Sequence, residues 1–166
     1  MLKRTFKYCA THKEDERYMQ DMCSKGWAAI RFIEGFWTFE SCRPNQYFYR
    51  VFYARNIKKS KLSYIIKQYK KDGIEFVFRY SFWILFRSHQ PFDLYTKEEE
   101  LSIYKKIYAP MPVGAIVSFL MFLFGLHLSY TFNFLFFIPT VCIGIYGSIC
   151  TWLAFSYHKL IKEYEE

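Results

Sequence analysis

The sequence predicts an α+β chain: a cytosolic domain built of two β-α-β-β units, ferredoxin-like or effector-binding-like, followed by two transmembrane helices. Three observations predict it. No Asp, Glu, Lys or Arg occurs between Ile107 and His158. A bilayer core takes about 20 apolar residues per helix, so this run is long enough for two spans. Ahead of the run, short alternating segments and capped helical segments follow one another in the same order twice. Finally, the chain matches itself at a shift of 47 positions. Gly26 falls on Gly73, Ile30 on Val77, Phe36 on Trp83, Phe39 on Phe86, Ser41 on Ser88 and Pro44 on Pro91. Start and stop signals that coincide in this way are the mark of an internal repeat.

The first unit, residues 1–46, opens with the alternating segment RTFKYC. THKE, Thr11 to Glu14, then reads as a capping box, with the Thr hydroxyl serving the third helical amide and the Glu returning to the cap amide. The helix should run to about Lys25 and stop at Gly26, a residue suited to the left-handed position after a helix. Two strands follow, Trp27 to Ile33 and Phe36 to Ser41, turning at Glu34-Gly35. In the second unit, residues 47–93, QYFYRVFYA is a strand, Ser60 caps a helix from Lys61 to Asp72, and Gly73 ends it. Ile74 to Tyr80 and Phe82 to Arg87 are the last two strands. The face covered by helices should be apolar. The opposite face, mixed aromatic and charged, suits a binding surface, a dimer face or a face against the membrane.

The domain therefore occupies residues 1–95. A third capping box, TKEE from Thr96, opens a connector helix over 96–109 that carries Lys105 and Lys106. Pro110 and Pro112 then break or bend the chain. The hairpin, 110–158, is expected as one helix from Pro112 to Leu128 and another from Phe134 to Tyr157, with a break in HLSYTFN (127–133). Gly114-x-x-x-Ser118 and Gly144-x-x-x-Ser148 permit close helix packing. Residues 159–166 form a tail.

Charge sets the expected orientation. Of 23 Lys and Arg, only Lys159 and Lys162 follow the apolar run; of 15 Asp and Glu, only Glu163, Glu165 and Glu166 do. That leaves a net +9 ahead of the run, and the positive-inside rule places both termini in the cytoplasm of a cell-membrane protein. MLKRTFKY has no apolar signal core. Cysteines 9, 23, 42, 142 and 150 are odd in number and make no C-x-x-C, as suits a reduced cytosolic face. The basic surplus fits acidic phospholipid headgroups. No nucleic-acid motif accompanies it, so direct nucleic-acid binding is not expected.

The segments SKGWAAI, GFWTFESCRPNQYFYRVFY and FDLYTKEEELSIYKKIY resemble an uncharacterised bacterial family, domain of unknown function 2812. Its pattern maps to Lys25-Gly26-Trp27, Gly35 to Phe39, Tyr47 to Arg50, Gly73 to Glu75 and Trp83 to Arg87, with Ile74 standing where the pattern has Trp. The resemblance covers about residues 1–108 and implies a structural likeness without a chemistry. Relatives are often encoded beside PadR-like repressors, which implies a regulatory setting. The doubled β-α-β-β order also resembles the effector-binding fold of bacterial drug-sensing regulators, an analogy of fold alone.

No residue constellation points to catalysis or to a cofactor. His12, His89, His127 and His158 are scattered and share no metal-ligand spacing with Cys, Asp or Glu. No nucleophile motif or phosphate-cradling glycine loop is present. The strand aromatics Trp27, Phe36, Trp37, Phe39, Trp83 and Phe86 read first as core. Their sharper reading is a cleft or partner surface between the units, with Glu34, Glu40 or Glu75 as counter-charge, suited to a lipophilic cation. Phe36 and Trp83 should point one way and Trp37 and Ile84 the other, so one face should be tolerant in both units. The expected function is that of a membrane-anchored regulatory or accessory protein, not an enzyme. Its expected partners are membrane lipid and a protein, a repressor or transporter subunit, with homo-oligomers open. A membrane-tethered small-molecule sensor and a structural subunit of a membrane complex are the alternatives.

Overall fold

The computed structural model describes residues 1–55, 57–131 and 137–165. They form two compact units, Met1–Thr96 and Lys97–Glu166. The fold is α+β, with two three-stranded sheets in the first unit and two long apolar helices in the second.

The first unit runs β1 (Leu2–Phe6), α1 (His12–Ser24), β2 (Trp27–Ile33), β3 (Phe36–Ser41), β4 (Phe48–Tyr53), α2 (Lys59–Lys71), β5 (Glu75–Tyr80) and β6 (Trp83–Ser88). The sheets are antiparallel, in the orders β1-β3-β2 and β4-β6-β5. Their registers coincide at the 47-residue offset. Lys3 opposes Phe39 where Arg50 opposes Phe86, and Thr5 opposes Trp37 where Phe52 opposes Ile84. The bulge between Ala29 and Arg31 returns between Phe76 and Phe78. Gly26 (φ 81°) and Gly73 (φ 74°) take the same left-handed turn after α1 and α2, and Glu34 and Ser81 share φ 49° in the hairpin turns.

The helix starts depart from expectation in detail. Thr11 does cap α1, its hydroxyl accepting from the Glu14 amide at 3.3 Å, but the Glu14 carboxylate returns to the Ala10 amide at 2.9 Å, one residue ahead of the cap. Ser60 is not a cap: α2 begins at Lys59 behind Lys58, which supplies no side-chain cap. Strand β1 starts and ends earlier than RTFKYC suggests, because the register against β3 is fixed over Leu2–Phe6.

Packing breaks the symmetry between the halves. Helix α1 buries Met19, Met22 and Cys23 against Ala29, Trp37 and Phe39 of the first sheet, and the same cluster takes in Tyr49, Val51 and Leu85 of the second. Helix α2 covers the other face of the second sheet, where Phe52, Ile84 and Phe86 meet Leu62, Ile65, Ile66 and Tyr69. The second sheet is thus covered on both faces. Among the described residues, the first is covered on one.

In the second unit, α3 (Lys97–Tyr108) is followed by a short break at Ala109-Pro110, then α4 (Met111–Thr131) and α5 (Phe137–Glu165). Helix α4 continues through the expected break at His127 to Thr131; Phe132 and Asn133 lie outside the described residues. Helix α5 runs past His158, so residues 159–165 are helical rather than a separate tail. Leu160 and Ile161 pack with Tyr157 around the fully buried Tyr104 of α3. Tyr104 and Tyr164 both donate to the Glu100 carboxylate, and Lys105 pairs with Glu165 at 2.7 Å. Small residues set the α4–α5 approach: a Cβ at Gly125 would clash with the Thr140 side chain, and one at Gly147 would meet Ser118 Cβ at 3.0 Å. Gly114 is not part of this contact, having open space around its Cα. Both α4 and α5 are long and apolar enough to cross a membrane, and they turn Ile116, Phe119, Phe124, Ile138 and Phe155 outward.

Candidate functional site

The aromatics singled out in the sequence separate by strand parity. Trp37, Phe39 and Phe86 are fully buried, the first two between α1 and the sheets and the third under α2, so these three line no surface. Trp37 Nε1 donates to the Lys7 carbonyl at 3.0 Å, which satisfies its one polar atom. Trp27 and Trp83 are half-buried; Trp83 stacks on His12 with ring centroids 4.4 Å apart. Only Phe36 is open to solvent among the six, at 41 %.

The three candidate carboxylates do not converge on an aromatic cleft. Glu34 sits exposed in the β2–β3 turn. Glu40 of β3 and Glu75 of β5 both reach Arg87 of β6, at 3.5 and 2.9 Å, and the Arg87 guanidinium lies 4.3 Å over the Tyr47 ring. Arg87 thereby ties the first sheet to the second.

Sequence reasoning missed a polar cluster at the α1 seam. Tyr80 OH donates to Asp15 Oδ2 at 2.9 Å, and the Val51 amide donates to the buried Glu16 Oε1 at 2.7 Å. Burial pushes the Asp15 carboxyl up to about 6, partly offset by the Tyr80 and Cys9 hydrogen bonds, and pushes the Cys9 thiol up to about 12. Burial thus keeps the Cys9 thiol protonated at neutral pH. Among the described residues no three His, Cys, Asp or Glu side chains gather as a metal site.

The second feature missed is the uncovered face of the first sheet. Cross-strand partners share a face, which puts Leu2, Arg4 and Phe6 of β1 beside Thr38 and Phe36 of β3 and Arg31 and Ile33 of β2. Leu2 and Phe6 are 68 % and 65 % exposed, and Arg4 lies 4.7 Å over the Phe36 ring. Leu2, Lys3, Arg4, Arg31, Ile33, Phe36 and Thr38 line a groove of about 320 Å³ there. A signal for it was present. At the 47-residue offset Arg4 answers to Val51 and Arg31 to Phe78, arginine in one half where the other has a core residue.

Fold and surface together define a class: a compact α+β domain joined in sequence to an apolar helical hairpin. Within that class the chain belongs to the family described as Protein of unknown function (DUF2812), whose model matches residues 11–116, from the end of the α1 cap into α4. No curated protein and no solved structure matches the chain.

Proposed function

We propose that the protein is a membrane-anchored accessory or regulatory protein whose N-terminal unit binds a protein partner at the cytoplasmic face of the cell membrane. The observation that carries this reading is the division of labour between the units. Residues 1–96 enclose their own aromatic core, while α4 and α5 expose large apolar side chains along their length, as a hydrocarbon environment requires. Shared register, bulges and turns support descent of the first unit from a duplicated β-α-β-β ancestor. A PadR-like repressor and a transporter subunit are the two partner classes that this setting suggests. A sensor with an aromatic cleft is less well supported, because Trp37 and Phe39 touch side chains and not a void.

Two measurements test the reading. In a cysteine-free background, a cysteine at Ser129 should react with an impermeant reagent on intact cells and one at Lys162 should not; the reverse would sink the orientation. In-cell cross-linking followed by reconstitution in nanodiscs should give a stoichiometric complex with the full chain and none with residues 97–166 alone. A chain that takes no partner under either condition would sink the function.

A further inference from the structure

We propose that the uncovered face of the first sheet is the docking surface for an acidic amphipathic helix of a partner protein. This rests on the partner-binding reading above and names the surface and the partner's chemistry.

The precedent lies in the chain itself. The two sheets share one register, so each position on the open face has a counterpart 47 residues on. Arg4, Phe6, Ile33, Phe36 and Thr38 answer to Val51, Tyr53, Tyr80, Trp83 and Leu85. In the second sheet that face is occupied by a helix, α1. The contact is apolar at Val51 and Leu85. It is acidic at Asp15, which receives the Tyr80 hydroxyl, and at Glu16, which receives the Val51 amide. The first sheet keeps the apolar character at Leu2, Phe6, Ile33 and Phe36 and adds Arg4 and Arg31. Neither arginine has an ion-pair partner among the described residues. A guest helix with carboxylates at the places of Asp15 and Glu16 would meet Arg4 where α1 meets the Val51 backbone.

Charge also decides whose helix it is. Were a second copy to stack head to tail, α2 would take the part of α1. At the places of Asp15 and Glu16, α2 has Leu62 and Ser63, and its sequence KSKLSYIIKQYKK holds no acid. It would bring no carboxylate to Arg4 and Arg31, and a helix with five lysines and no acid adds like charge to a basic face, which opposes the contact. A different, acidic chain is required. An anionic bilayer would satisfy the same charges, but the face is a groove whose counterpart already seats a helix, so the helix is favoured.

The test uses the full chain in zwitterionic nanodiscs and, as probe, a fluorescent, helix-stapled peptide of residues 11–26. This is the one helix shown to cover the equivalent face. Saturable binding is expected, with cross-linking from a photoreactive residue replacing Phe36. Arg4→Glu with Arg31→Glu should weaken it at least 10-fold while leaving the far-UV dichroism and melting temperature unchanged, and a peptide with Asp15→Lys and Glu16→Lys should not bind. No binding, binding indifferent to the arginines, or cross-linking only from a photoreactive residue replacing Trp83 would overturn the proposal. So would capture of phosphatidylserine vesicles by the full chain in its zwitterionic nanodiscs, lost in the arginine double variant, if the peptide fails to compete; that outcome assigns the face to lipid. A cellular partner that still binds the double variant sinks this surface and keeps the partner-binding reading. Peptide binding without any cellular partner does the opposite.

Discussion

Phe36 and Trp37 are neighbours with opposite fates. Trp37 is fully buried and hydrogen-bonded at its indole, so Trp37→Ala should cost about 3–5 kcal/mol. Phe36 lies on the open face, and Phe36→Ala should cost under about 1 kcal/mol. Urea titrations of the two variants check both. The alternation that separates them was legible in the sequence. What was not legible is that the rule fails in the second half. Ile84 is buried as Trp37 is, but Trp83, the counterpart of Phe36, is half-covered by His12 of α1. A single-chain pattern shows which residues share a face; it does not show which distant helix lies on that face. Asp15 was likewise unreadable, because its partners Tyr80 and Cys9 come from two other segments. Its carboxyl titrates higher in the folded chain than in the unfolded one. The stability it contributes is therefore full below about pH 4 and is lost as pH rises through about 6. Asp15→Asn should raise stability by about 1–2 kcal/mol at pH 8 and change little at pH 4, as denaturation at the two pH values would show.

At the scale of elements, the stop signals were more informative than the start signals. Gly26 and Gly73 end their helices where the sequence placed them, since few other residues tolerate the left-handed turn. Caps were weaker guides: THKE works in part, and Ser60 lies inside the first turn of α2. The two glycines also separate conformational strain from crowding. A Cβ on Gly26 would sit 3.2 Å from the Cys42 carbonyl oxygen, whereas one on Gly73 would meet nothing within 4 Å. Gly73→Ala should cost about 1 kcal/mol from the backbone alone. Gly26→Ala should cost more, about 2 kcal/mol, because the β3–β4 link must also give way. Paired thermal melts of the two variants would reveal the difference, and equal losses would mean that the Cys42 contact relaxes freely.

For the whole molecule, the division at Thr96 predicts that residues 1–96 form a soluble, cooperatively unfolding fragment, because both aromatic clusters of that unit close within it. A fragment that aggregates or melts without a transition would mean that the second unit completes the first. The hairpin was the most legible part of the chain, since an uncharged run of that length has few other uses. Its ends were not, because α5 continues through charged residues for the sake of the Tyr104 cluster.

The two-sided packing of α1 also has a meaning in time. A ribosome delivers α1 early and its second partner late. At about 5–20 residues per second, the stretch from Ser24 to Ser88 takes about 3–13 s to appear. Until then one flank of α1 stays wet, and Asp15 is an ordinary acid, ionised at neutral pH. Closing the second sheet over it dehydrates a charge or takes up a proton, so the last step in maturing this domain should run faster in mildly acidic solution than in alkaline.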